Sequence, residues 1–218
     1  MTDTSTARRE PLDRAAVVDA AIALADEVGV GALTMRRLAE RLGFKAMALY
    51  NHVSGKDELL ALMADAIALE VDVGFDGSDP LTVIRDHAIA TRRAFVAHPW
   101  APEVWLRHVP GAARTDHMET VLRAFEQSGL PADLAHHGFH AVTNHVLGYT
   151  LQENAMPMDI AAADGMARAT GFLDTLSPDA HPFTVAHVQQ HLDGENSSSF
   201  ELVLDLILEG LSTRAATR

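Results

Sequence analysis

The chain has 218 residues, 17 Lys/Arg against 30 Asp/Glu and a formal net charge of −13; it is long enough to bury a core, short for a multi-domain enzyme, and too acidic for broad, non-specific attraction to nucleic acid. With no cysteine it has no disulfide, thiolate metal site or cysteine nucleophile, which fits a reducing compartment. Its start, MTDTSTARREPLDR, is polar, and no apolar run reaches the roughly 18 residues of a membrane span, so a soluble, cytoplasmic protein is expected.

In chain order, residues 14–28 set Val17, Ala21, Leu24 and Val28 at 3-to-4-residue spacing, between Asp13 as a cap and Gly29 as a stop. This predicts a first amphipathic helix. Thr34 opens a second, MRRLAERL, with Leu38, Ala39 and Leu42 on one side and Gly43 supplying a left-handed turn. A third short helix is expected at about 45–53, KAMALYNHV. Ser54-Gly55-Lys56-Asp57 fits a capping box between Ser54 and Asp57, opening a fourth helix through about Leu69. The segment 73–80, VGFDGSDP, lacks periodicity and is the best domain boundary. Beyond it 81–98 is helical, His98-Pro99-Trp100 breaks that helix, another ends at Gly129, a long one covers 132–155 and a last one 199–214. Met-Pro, Ser-Pro and His-Pro steps and the run DGENSSS mark 156–198 as loops around two shorter helices. No stretch alternates as a strand does and no internal repeat is present, so the fold class is all-α.

Charge is uneven along the chain. Residues 1–60 carry net −1 and 61–218 net −12, yet within 34–56 Arg36, Arg37, Arg41, Lys45 and Lys56 face Glu40 alone, net +4. A local footprint on DNA is compatible with that island. The same stretch, LTMRRLAERLGFKAMALYNHVSGKDELL, resembles the TetR family helix-turn-helix and the start of its fourth helix. The resemblance rests on the Thr-helix-Leu-Gly turn, the Leu-Tyr-x-His pair and the following Lys-x-x-Leu-Leu at the family spacing, and it covers residues 12–62. It implies a flexible arm at 1–13, a three-helix helix-turn-helix DNA-binding domain at 14–56, and a helical ligand-binding and dimerisation domain at 57–218. The implied function is a ligand-responsive transcriptional regulator, most simply a repressor, and not an enzyme.

In that frame Ala39 is small where two helices cross, and Leu38, Leu42, Phe44, Leu49 and Val53 bury against the first helix. Lys45, Ala46, Met47, Tyr50 and Asn51 are left facing outward, where a recognition helix enters the major groove. By resemblance, Thr34 caps the second helix against a phosphate. Arg36 reaches a base edge, with guanine as its best bidentate partner and a plain phosphate clamp as the alternative. Tyr50, His52 and Lys56 match positions that grip backbone, although His52 can equally pack between helices. Ala46, Met47 and Ala48 offer no amide to adenine, which leaves thymine methyls or DNA shape to be read there.

The C-terminal half resembles the tetracycline-repressor-like domain more loosely, through HVLGYTLQE at 145–153 and FELVLDLILEGL at 200–211. The last helix carries Phe200, Leu202, Val203, Leu204, Leu206, Ile207, Leu208 and Leu211 around most of its circumference, more than one core-facing stripe needs. Its second side is expected to meet a partner subunit in a four-helix interface with the 132–155 helix, and a homodimer requires a palindromic operator. Trp100, Trp105, Met118, Phe139, His140, Asn144 and Tyr149 are candidate lining for a small, mainly apolar effector, with Glu153 able to orient a cationic one. Aligned with tetracycline repressors, the chain has their metal-binding histidine replaced near Trp105 and the other matches fail, so a magnesium-tetracycline site is not implied. His136 and His140, like His187 and His191, are four apart, and His137 and His145 lie close by. They keep one alternative open: a small helical metal-binding protein or enzyme using the histidine clusters. No nucleophile elbow, phosphate-binding glycine loop or zinc-protease motif supports it, and no metal or cofactor is expected.

Overall fold

Asp13 starts the first helix as expected: its carboxylate accepts the Ala16 N–H at 2.8 Å, α1 runs Arg14–Val28, and Gly29 ends it at φ 78°. The computed structural model describes residues 12–71, 73, 74, 78–155, 165–193 and 199–218, and among these every regular element is helical. A 3-10 turn at Val30–Ala32 leads to α2, Met35–Leu42, whose N-cap Thr34 accepts the Arg37 N–H at 3.2 Å. Gly43, in the left-handed region at φ 71°, sends its N–H to Glu40 and lets the Phe44 N–H reach the Ala39 carbonyl at 2.9 Å. An L side chain in that conformation costs about 1–2 kcal/mol. Gly43→Ala is therefore expected to lower the unfolding free energy by that amount, seen as a lower urea midpoint at an unchanged slope; an unchanged midpoint would show that the turn tolerates relaxation.

The third helix is shorter than its pattern predicts. α3 is Ala46–Leu49, because the Asn51 and His52 N–H groups close on carbonyls three residues back, Ala48 and Leu49, and wind the chain into tight turns. α4, Lys56–Leu69, starts on Gly55, and the carboxylate that reaches back to the Ser54 N–H is Glu58. The capping box assigned to Ser54 and Asp57 is corrected accordingly: Gly55 is the N-cap, which places Glu58 three residues on, at the reach-back position. Val17, Ala21, Leu24, Leu33, Leu38, Leu49, Val53, Leu59, Met63 and Ile67 form the core of this part, while Leu42 and Phe44 stay half-buried.

The remaining helices are α5, Pro80–Ala97; α6, Ala101–Arg107; α7, Ala112–Gln127; α8, Ala132–Ala155; α9, Gly165–Asp174; α10, Pro182–Leu192; and α11, Ser199–Ala216. Packing divides the chain into two compact units. The first takes the chain up to Glu70 together with Glu103–Asp116, so α4 stays with the helix-turn-helix and a downstream segment joins it. The second holds Val71–Pro102 and His117–Arg218. In the second, α8 packs on α5 and α11 around Val83, Ile84, Phe95, Val142, Val146, Phe200, Leu204 and Leu208, and α9 packs on α10. Gly138 is needed in α8: a Cβ there would meet Phe125 at 2.7 Å and Leu211 at 2.8 Å, inside contact distance.

Candidate nucleic-acid interface and sites of the second unit

The first unit leaves the expected outward residues outside. Met47 is 74% and Tyr50 46% exposed, although burying either would be favourable. Lys45 and Asn51 are exposed beside them, Ala46 is half-buried, and Arg36 and Arg37 are exposed on α2. His52 is half-buried, and its carbonyl accepts the Arg14 Nε at 2.9 Å. Lys56 is half-buried, with Nζ 3.4 Å from the Val30 carbonyl.

Ion pairs sort the cations of the basic island. Arg41 makes a bidentate pair with Glu27 of α1, both bonds 2.7 Å, and this holds the Glu27 carboxyl below the usual range. Arg41 thus serves to fix α2 on α1. Arg36 bonds Glu40 at 2.9 Å, an exposed pair four residues apart of the kind that water and salt screen and that binds its partners only loosely. A guanidinium held that weakly is available to another acceptor. Arg14 and Glu58 complete the frame: Arg14 lies 3.5 Å from Glu58, whose carboxyl is lowered chiefly by its bond to Ser54. Neither residue stands out in the sequence, because their partners lie in a different helix.

In the second unit, Tyr149 sits in a built cluster. Its ring meets Phe200 edge-on at 5.3 Å, His145 stacks on Phe200 at 4.7 Å and 14°, and the Arg92 guanidinium lies 5.0 Å from the Phe200 ring. Glu153, read as a handle for a cationic ligand, is occupied by Arg92 at 2.8 Å and closes this cluster from the end of α8. Trp100 is buried, edge-on to His98 at 5.9 Å, and its loop is tied down by Asn154 donating to the Pro99 carbonyl at 3.2 Å. Phe139 is half-buried, whereas Met118, His140 and Asn144 are exposed. Trp105 belongs to the first unit, under the Arg114 guanidinium at 5.7 Å. A depression of about 430 Å³ between α7 and α8, lined by Leu122, Phe125, Leu130, Ala135 and His136 among others, includes none of the seven candidate ligand residues.

The histidines divide similarly. His136 lies edge-on to His140 at 4.7 Å and to His137 at 5.4 Å, while His145 bonds the Phe200 carbonyl at 2.8 Å. Among the described residues no group of three or more His, Asp or Glu side chains could hold a metal, and the side chain of His191 lies outside them. A pair that the sequence does not flag is His87 of α5 and His117 of α7, ring centroids 4.5 Å apart. Burial pushes both imidazoles down from their ordinary pKa, His117 to about 3 with His87 beside it adding repulsion.

Among the described residues the first helices form a capped helix-turn-helix and a second helical body follows, the arrangement expected of a DNA-binding regulator. The comparisons with known proteins agree. Residues 17–63 match the family of bacterial regulatory proteins described as tetR family, and residues 81–215 match the tetracyclin repressor-like C-terminal domain. The chain belongs to the TetR family, and it is not an enzyme. It is similar to the class D tetracycline repressor protein of Escherichia coli, 32% identical over 145 residues that cover 65% of this chain and 66% of that one. It is also similar to the class C repressor of the same species, 29% identical over 94% of this chain and 93% of the relative. Among solved structures, ActR of Streptomyces coelicolor in complex with actinorhodin superposes with a TM-score of 0.76 at 29% identity, covering 94% of this chain and 99% of that one. No helix among the described residues is long and apolar enough to cross a membrane.

Proposed function

We propose that the protein is a ligand-responsive repressor that binds a palindromic operator as a homodimer and is released by a small, mainly apolar effector held in the second unit. The observation that carries the DNA reading is the exposure of Met47 on α3 and of Tyr50 at its end, beside Lys45, Asn51 and Arg36, in a basic island of an acidic chain. Thr34, Ala46, His52 and Lys56 complete the proposed contact set. A half-buried Lys56 fits a backbone contact close to the start of α4. Of the candidates for effector contact, Trp100, Met118, Phe139, His140, Asn144 and Tyr149 lie in the second unit, whereas Trp105 lies in the first and does not join them. The relative crystallised with actinorhodin supports an effector site in a domain of this kind.

The test is DNA selected by the protein itself from the region flanking its gene, followed by anisotropy at several salt concentrations. Salt-sensitive binding to a two-half-site duplex is expected, and failure to prefer any duplex over random sequence would sink the proposal. Arg36→Ala is expected to weaken the selected duplex by about 1–3 kcal/mol while leaving random DNA within about twofold. Lys45→Ala should weaken both alike and lower the salt slope by about one. Equal losses for Arg36→Ala on both duplexes would make it a phosphate clamp.

A further inference from the structure

Arg114 is the largest fully buried side chain among the described residues, with 1% of its side chain exposed. It lies in the first turn of α7, and its bonds to Asp65, Trp105, His108 and Val109 all fall within the first unit. Nε donates to Asp65 Oδ1 of α4 at 2.6 Å, and the two terminal nitrogens donate to the carbonyls of Trp105 at 3.2 Å, His108 at 3.0 Å and Val109 at 2.7 Å. The guanidinium thereby caps carbonyls left open at the end of α6, where a cation is favoured by the helix dipole. Asp65 Oδ1 also accepts the Gly111 N–H at 3.1 Å, and a Cβ on Gly111 would collide with the Asp65 carboxylate. One carboxylate thus gathers α4, the corner between α6 and α7, and the start of α7.

A buried ion pair is poor evidence for stability alone, since apolar groups of the same volume often serve a core as well or better. Its better-attested use is to specify one arrangement among several. Here the arrangement specified is that of α4, the helix that continues the chain directly from the recognition helix and packs on α1. We infer that Asp65 and Arg114 are positioning residues for DNA binding: a latch that makes 103–116 part of the DNA-binding unit and sets how firmly the paired recognition helices hold an operator. The inference rests on the DNA-binding reading above. Charge alone does not define the latch, because three of the four acceptors are carbonyls and need a donor; exchanging the two residues cannot rebuild it.

The experiment uses the full chain with Asp65→Asn, Arg114→Met and Gly111→Ala, binding the duplex selected by the wild type and a random-sequence duplex. Circular dichroism, sedimentation and hydrogen exchange are followed in parallel. At least a tenfold loss on the selected duplex is expected, with random DNA within about twofold, helical signal and self-association retained, and faster exchange confined to the second half of α4 and to 103–116. Selected-duplex affinity equal to that of the wild type in all three variants overturns the latch. So does a loss of helical signal along with both binding modes in Asp65→Asn, the mildest change, which would make the pair a folding staple only. If the wild type selects no duplex, the DNA-binding reading fails separately, and exchange in α4 that the variants leave unaltered then overturns the latch without DNA.

Discussion

Lowering the pH from 7.5 to 5.0 is expected to cost this protein several degrees of thermal stability before its carboxylates begin to titrate. The reason is the His87–His117 pair, two imidazoles with ring centroids 4.5 Å apart, of which His87 is 97% buried by virtue of its 3% exposure. Both are held neutral in the fold, His117 with a pKa of about 3 because burial, and then His87, oppose its charge. In the unfolded chain they titrate near about 6.5. Between those values the unfolded state binds more protons, so stability is complete above pH 6.5 and falls as the pH drops toward the folded-state value. At about 1.4 kcal/mol per pH unit, His117 alone withdraws about 2 kcal/mol by pH 5.0, or roughly 4–8 °C for a chain of this size. His87 adds in the same direction. His117→Phe keeps a ring against His87 and removes one titration, so its melting temperature should change less over the same range. A wild type whose melting temperature is flat from pH 7.5 to 5.0, or a variant with the same slope as the wild type, would remove the pair from this role.

That pair also shows where sequence reading stops. Signals carried by neighbours a few residues apart are legible: Asp13 and Gly29 bound α1, Thr34 and Gly43 bound α2, and the 132–155 pattern matches α8 end to end. Helical spacing likewise leaves Lys45, Met47, Tyr50 and Asn51 on the outside, where they are exposed, whereas Ala46, expected beside them, is half-buried. α6 has no such signature. Seven residues containing Pro102, between His98-Pro99 and Val109-Pro110, are too few to show a period. The choice between Asp57 and Glu58 as the capping carboxylate turned on one residue of helix start, which composition does not set. Pairings between distant segments leave still less trace. Glu153 looks like a free handle until Arg92, 61 residues earlier, is found on it, and Arg114 looks like one more surface arginine until Asp65 is found 49 residues back. The candidate effector residues suffer most, since residue types suited to a pocket are equally suited to a core, and Tyr149 is engaged by Phe200, His145 and Arg92.

In the proposed homodimer, Leu206→Asp is expected to separate the subunits and to lower affinity for a two-half-site operator by about two orders of magnitude or more. α11 is apolar on both sides, and the described residues cover only one. Phe200, Leu204, Leu208 and Leu211 are buried, whereas Leu202 is 61%, Val203 37% and Leu206 57% exposed. The helix is not free to rotate that face inward, because Arg85 of α5 bonds Asp205 at 2.7 Å and Glu201 at 2.9 Å and so fixes its turn. On α8, Ala141, Asn144, Gly148 and Gln152 form a second exposed line at three-to-four-residue spacing, and a Cβ on Gly148 would meet nothing within 4 Å. Small residues on one helix and leucines on its neighbour allow two copies of the pair to close at short range, as ridges fit grooves in a bundle. Burying a leucine contributes about 1.5–3 kcal/mol, and in a two-fold interface each substitution acts twice, with two carboxylates then brought face to face. A monomer presents one recognition helix and loses the second half-site, while binding to a single half-site and to random DNA is untouched. Sedimentation of the wild type and variant at micromolar concentration, with anisotropy on one- and two-half-site duplexes, checks both parts. A wild type that sediments as a monomer would refute the homodimer, and a Leu206→Asp variant that stays dimeric and holds the operator as tightly would place the subunit contact elsewhere.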